Sequence, residues 1–182
     1  MQLPRRSLKS RALQLLAQRE QSRLELRRKL LRHARATAHV ADGQGSQDDD
    51  DVESESVVVD QVETLLDWLV ANRFLSSERF VESRVHAREA RFGNQRIKSE
   101  LAQHALTLTP ELAAHLAETE MARAAAVRSR RFATPPRDAA ERASQSRFLA
   151  ARGFSSELIH RLMRQLHGSA RTERVDGAAE VC

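Results

Sequence analysis

Residues 91–101 read Arg91-Phe92-Gly93-Asn94-Gln95-Arg96-Ile97-Lys98-Ser99-Glu100-Leu101, and residues 20–30 read Glu20-Gln21-Ser22-Arg23-Leu24-Glu25-Leu26-Arg27-Arg28-Lys29-Leu30. The two stretches align without a gap. Small residues meet at the turn, Ser22 with Gly93, and aliphatics meet at both core positions, Leu26 with Ile97 and Leu30 with Leu101. Self-similarity of this kind marks a repeat architecture. Arg131-Phe132-Ala133 echoes Arg91-Phe92-Gly93 once more. The pattern predicts an all-α fold: an elongated tandem array of three three-helix units over residues 7–72, 74–119 and 120–167, with a flexible tail at 168–182. A unit of roughly 45 residues buries too little surface to be secure alone. Neighbouring units are therefore expected to share apolar faces.

Working outward, each helix shows itself by a stripe at 3.6-residue spacing. Leu8, Ala12, Leu15 and Leu16 give a first helix, and Leu26, Leu30, Leu31 and Ala34 a second that opens on the capping box Ser22-Arg23-Leu24-Glu25. Val58, Val62, Leu65, Leu66 and Leu69 predict a third over 57–72, with Trp68 in or at the edge of the core. Ser76-Ser77-Glu78 starts a fourth carrying Phe80, Val81 and Val85; it ends near Gly93, where glycine can take the left-handed cap conformation. Ile97 and Leu101 anchor a fifth. Thr109-Pro110-Glu111 starts a sixth, which no Gly or Pro separates from a seventh around 121–131. After Thr134-Pro135-Pro136, Asp138 can cap an eighth that ends at Gly153, and Ser155-Ser156-Glu157 starts a ninth.

Charge is distributed in blocks. Residues 1–35 hold eleven Lys and Arg against two acids, residues 36–64 hold nine acids and no base, and the remainder holds nineteen bases against fourteen acids. The turn-rich, acidic stretch 36–56, with its unbroken run Asp48 to Asp51, is expected to be a disordered insertion into the first unit. A calcium loop would need alternating ligands and a glycine at fixed offsets, which this run lacks.

Several function classes are excluded at this level. The single cysteine, Cys182, has no partner for a disulfide or a metal site and no positioned base. The seven histidines are scattered, with no pair at i, i+4, and neither Gly43-Gln44-Gly45 nor Gly93 fits a phosphate loop. No catalytic residue, metal or cofactor is expected. No run of 18 apolar residues exists to span a membrane, and residues 1–18 lack the apolar core of a signal peptide. A cytoplasmic, monomeric protein is the expectation.

What remains is basic surface. Arg84, Arg88 and Arg91 fall at i, i+4 and i+7, one stripe on the fourth helix; Arg96 and Lys98 follow across the turn. Arg123, Arg128, Arg130 and Arg131 make a second cluster. Arginine forks bidentately to phosphate or carboxylate, so these nine are the candidate contacts to an acidic protein face or a nucleic acid. Five of the six phenylalanines follow an arginine, a pattern that base stacking and amphipathic helices produce equally.

The segment Arg73-Phe74-Leu75-Ser76-Ser77-Glu78-Arg79-Phe80-Val81 resembles the stretch usually written Gly-Tyr-Leu-Asp-Asp-Glu-Arg-Phe-Ala in the RecX family. The resemblance continues through Arg84, Arg88, Gly93, Arg96-Ile97 and Glu100-Leu101, and through His104-Ala105-Leu106, where the family tends to have Lys-Gly-Ile. It includes Arg152-Gly153-Phe154 and, near the start, Ala12-Leu13 to Glu25-Leu26. It covers nearly everything from residue 7 to residue 165 in helix order. Arg73 departs from the family's glycine at a helix end, which makes that turn different or strained. The resemblance implies a modulator that lies along the RecA nucleoprotein filament and restrains its ATPase, recombination and strand exchange, in the setting of the SOS response. A direct binder of single- or double-stranded DNA and a purely structural scaffold are the competing readings.

Overall fold

The computed structural model describes the backbone of residues 7–41 and 50–179, and the side chains of 7–37 and 55–167. Among the described residues the chain is all helix: α1 (Leu8–Gln18), α2 (Arg23–Ala41), α3 (Asp50–Ala71), α4 (Ser77–Glu89), α5 (Asn94–Ala102), α6 (Pro110–Ser129), α7 (Ala139–Ala151) and α8 (Ser156–Ala179). None of them is long and apolar enough to cross a membrane. The chain divides into two compact bodies, residues 1–83 and 84–182, and the division falls inside α4.

In the first body α1, α2 and α3 pack on one another around Ala12, Leu15, Leu26, Leu30, Leu31, Val62, Leu66, Leu69 and Leu75. These are the residues of the three apolar stripes, and Trp68 is half-buried at the core's edge. Full burial of each large aliphatic side chain contributes roughly 1.5–3 kcal/mol. The Ser7 and Ser22 hydroxyls accept from the amides of Ser10 (3.2 Å) and Glu25 (3.1 Å) and start α1 and α2. Ion pairs align α2 with α3: Arg23 reaches Glu63 and Asp67, each at 2.7 Å, and Arg27 also pairs with Glu63.

The stretch 36–56, expected as a loop, is divided. Helix α2 runs on through Ala41, α3 begins at Asp50, and residues 42–49 lie outside the described residues. The physical reason is local: alanines at 34, 36, 38 and 41 favour helix. An acidic run is also favourable at a helix N-terminus, where the peptide dipoles leave partial positive charge. At the far end α8 continues through Gly168 to Ala179, where the tail was expected to fray.

Helix α3 ends in a Schellman turn. The Phe74 amide donates to the Leu69 carbonyl (2.9 Å) and the Arg73 amide to Val70 (3.0 Å), with Arg73 at φ 60°. Arginine thus holds the left-handed position that the family's glycine would take. Ala105 (φ 56°) does the same after α5, and Gly153 (φ 80°) after α7.

In the second body α6, α7 and α8 pack together around Ala124, Val127, Leu149, Phe154, Leu158, Ile159, Leu162 and Met163, and α5 packs on α6. The sixth and seventh helices of the sequence reading are one helix, α6, as the absence of a breaker allows. Thr109 caps it and Pro110 sits in its first turn. Asp138 caps α7 through the Glu141 amide at 2.7 Å. Ile97 and Leu101 are fully buried, as are Leu26 and Leu30, and Gly93 and Ser22 both stand just before their helices. The repeat read from residues 20–30 and 91–101 is therefore a repeat of structure.

Gly93 is not left-handed. It lies at φ −78°, ψ 167° as the N-cap of α5. Its smallness serves a close approach: a Cβ there would overlap the Gly153 carbonyl and the Phe154 nitrogen. The Gly93 amide donates to the Arg152 carbonyl (2.9 Å) and the Gln95 amide to Gly153 (3.1 Å), so the α4–α5 turn is stitched to the α7–α8 turn.

Candidate functional site

Helix α6 clamps the α4–α5 turn by opposite charges. The last carbonyls of α4 have no donors of their own helix. Arg123 donates to two carbonyls here, Glu89 (3.1 Å) and Phe92 (2.8 Å), and Arg130 donates to Ala90 (3.3 Å). One turn earlier the Glu120 carboxylate accepts from the Asn94 amide (2.9 Å) at the start of α5. Cations thus meet a helix C-terminus and an anion meets an N-terminus, as the dipoles require. Arg123 also donates to Asn94 Oδ1 (2.5 Å), Leu116 O (2.9 Å) and Thr119 Oγ1 (3.1 Å). Burial pushes its pKa down, and the carboxylates of Glu120 and Glu89 oppose that.

Arg128 is 5% exposed. Its Nε donates to Gln145 Oε1 at 2.8 Å and its Nη2 to the Thr134 carbonyl, tying α6 to α7 and to the Pro135-Pro136 corner. Desolvation lowers its pKa, and neutral oxygens satisfy the charge. Both arginines therefore hold the fold at positions where the sequence suggested free contacts.

The other seven fall into two groups and one outlier. Arg88 and Arg96 lie 3.0 and 3.4 Å from Glu100 and above the Phe92 ring, at 5.6 and 4.6 Å from its centroid. With Arg84 they line a cavity of about 550 Å³ that also takes in Gln103 and His104. Glu100 neutralises part of that charge. Lys98 is exposed and lines neither cavity.

Arg91, Arg130 and Arg131 gather around a smaller cavity of about 220 Å³, with Val127, Phe148 and Arg152. The stripe expected along α4 is thus split, with Arg84 and Arg88 on one cavity and Arg91 on the other. Arg152 lies flat on Phe148, its guanidinium carbon 3.8 Å from the ring centroid. Arg131 lies 5.5 Å from Phe132, and Phe132 meets Phe148 edge-on at 5.2 Å. Among the described residues none of these four arginines has an ion pair. Four unneutralised guanidiniums around one opening repel one another, and an anion entering it relieves that repulsion. Arg152, Arg131 and Arg91 each lie near a phenyl ring, which helps to hold the guanidinium in place, while Arg130 keeps one donor on the Ala90 carbonyl. Arg152 and Phe148 were missed as site residues because they come from the α7 side, some twenty residues after Arg131. The stacking of phenylalanine on arginine was visible only as an ambiguous Arg-Phe recurrence. No group of His, Cys, Asp and Glu among the described residues could hold a metal ion.

Residues 118–163 match the third three-helix domain of RecX. The chain is 46% identical over 167 residues to the regulatory protein RecX of Ralstonia nicotianae, covering 90% of this chain and 91% of that protein. The chain belongs to the RecX family. Two further members show the same breadth: RecX of Herbaspirillum seropedicae is 46% identical over 93% of this chain and 95% of its own length. RecX of Ralstonia pickettii is 42% identical over 90% and 91%. The matched stretch holds all of α7, the greater part of α6 and the first third of α8, and Arg130, Arg131, Phe148 and Arg152 all lie within it. These relatives are named as regulatory proteins.

Proposed function

We propose that this RecX family member binds the RecA nucleoprotein filament and restrains its ATPase, recombination and strand-exchange activity, acting as a regulator and not as an enzyme. The supporting observation is the cluster of Arg91, Arg130, Arg131 and Arg152, four cations with no ion pair among the described residues. Such a cluster meets an acidic protein face or a phosphate equally well. The cavity bearing Arg84, Arg88 and Arg96 extends the contact, with Lys98 exposed on α5. Arg123 and Arg128 support it from beneath. The protein works in the cytoplasm as a monomer built from three units, 7–72, 74–119 and 120–167; α6, spanning the second boundary, is shared by the last two.

The second reading, direct nucleic-acid binding, is favoured by Phe148 and Phe132 beside the same cations, since bases stack on aromatic rings. The test is the single-strand-dependent ATPase of the cognate recombinase, with a naked-DNA binding control. The wild-type chain is expected to inhibit. Replacing Arg91, Arg130, Arg131 and Arg152 by Gln is expected to weaken inhibition by roughly tenfold or more, or about 1.4 kcal/mol. Unchanged ATPase with the wild-type chain overturns the filament reading. Tight naked-DNA binding that falls steeply with salt, in proportion to the phosphates contacted, then favours the second.

A further inference from the structure

Helices α7 and α8 leave between them a groove of about 640 Å³, distinct from both arginine cavities. Its size falls within the range of roughly 300–1,000 Å³ typical of ligand sites. Arg142 and Ser146 line it from α7, and His160, Met163, Arg164 and His167 from α8. Several other cations of this body are matched by carboxylates. Arg137 pairs with Glu141 at 2.7 Å, Arg96 with Glu100, and both His86 and His115 lie within 3.7 Å of Glu89. Among the described residues Arg142, Arg164, His160 and His167 have no such partner. The groove's carboxylate, Glu157, sits in the first turn of α8, where the helix dipole favours it.

The lining chooses between classes of ligand. Met163, 4% exposed, contributes an apolar, adaptable surface to the groove. Its only rings are the imidazoles of His160 and His167, and no Phe or Trp lines it, in contrast to the Phe148 cluster. A polynucleotide therefore finds no phenyl or indole to stack on here, only the imidazoles and guanidiniums, and makes no use of the thioether. A peptide with carboxylates about an aliphatic side chain uses all of it. The aliphatic group rests on Met163, and the carboxylates take the forked donors of Arg142 and Arg164 on opposite walls. A short segment in a groove between two helices is an established mode of peptide recognition.

We propose that the α7–α8 groove docks an acidic peptide segment of a partner protein, anchored by one aliphatic side chain. The test uses the full chain and a fluorescein-labelled synthetic peptide, Glu-rich with two central leucines, followed by anisotropy. A counterpart with Lys in place of Glu is the control. The Glu peptide is expected to bind and the Lys peptide not. R142E/R164E, two exposed sites, is expected to weaken binding roughly tenfold or more with helicity retained. S146W, which fills the groove without changing its charge, is expected to do the same. R91E/R130E is expected to leave the peptide's affinity unchanged. Binding weaker than about 1 mM, equal binding to R142E/R164E, or competitive displacement of the peptide from R91E/R130E by oligothymidylate overturns the proposal. No recombinase enters this assay, so its outcome is independent of the ATPase reading.

Discussion

Replacing Arg123 by Gln tests whether this arginine belongs to the fold or to a binding surface. The side chain makes five hydrogen bonds, two of them to the Glu89 and Phe92 carbonyls at the end of α4. A buried carbonyl that loses its donor costs about 1–3 kcal/mol. Leu116 O lies inside α6 and is less dependent on the arginine, and part of the site is open to water. Taking the low end for Glu89, Phe92 and the Asn94 amide together gives a destabilisation of about 3 kcal/mol. At an m-value of about 1.5 kcal/mol/M this moves a urea midpoint by about 2 M. Circular dichroism during urea titration measures the shift, and hydrogen exchange over residues 84–132 assigns it to the α4–α5 turn. Trp68 belongs to the first body, so its fluorescence reports on residues 1–83 in the same titration. Arg91→Gln and Arg131→Gln, both exposed, are expected to stay within about 0.5 kcal/mol of wild type. A shift below about 0.5 kcal/mol for Arg123→Gln would refute the capping argument and return this residue to the candidate contacts.

Other perturbations probe separate parts of the reasoning. Gly93→Ala forces a Cβ onto the Gly153–Phe154 backbone and is expected to lower stability by roughly 3 kcal/mol, read as a fall in Tm; an unchanged Tm would mean the two turns are not in contact. Ala105→Gly removes the cost of a left-handed alanine at φ 56°, about 1–2 kcal/mol. It restores about 0.4–1 kcal/mol of unfolded-state entropy, so a net gain of roughly 0.5–1 kcal/mol is expected in urea titration. Hydrogen bonds from Arg27 and then Arg23 hold the Glu63 carboxyl below its ordinary pKa of 4.5. Its folded value is thus the lower one, the unfolded chain binds more protons, and the stabilisation is present above the unfolded pKa and lost as pH falls through the folded one. Glu63→Gln is expected to flatten the acid limb of stability against pH below about 4.5, measured as Tm against pH; an unaltered limb would remove the α2–α3 pairs from the account.

The helices were legible because their signals are local. The stripe Leu26, Leu30, Leu31, Ala34 is buried throughout, and Ser7, Ser22, Ser76, Thr109 and Asp138 each cap the helix that follows them. What escaped the reading lies where two local signals conflict. Around residues 36–56, glycines and a carboxylate run argued for loop, while the alanines before them and the dipole of the helix behind them favour helix on both sides. At Gly93 the sequence suggests a left-handed cap, whereas the structure needs a glycine there for a close approach. The need comes from Gly153, sixty residues away, and no local rule of backbone conformation reports such an approach.

The arginines show the same limit more sharply. Arg123, Arg130 and Arg131 are alike as letters, and spacing on a helix says only which of them share a face. Whether an arginine is available to a partner depends on which oxygens surround it, and those belong to other elements. Arg123 is held by α4's last carbonyls, Arg128 by Gln145 and Thr134, and Arg88 and Arg96 lie against Glu100. The cations left for a ligand are those that tertiary structure has neither buried nor paired with a carboxylate. That criterion selects Arg91, Arg130, Arg131 and Arg152, one of which no periodicity linked to the others. It also selects Arg142 and Arg164, which lay outside every cluster visible in the sequence. Charge count along the chain therefore locates basic helices, and burial together with ion pairing in the folded molecule decides which of their charges remain available to a partner.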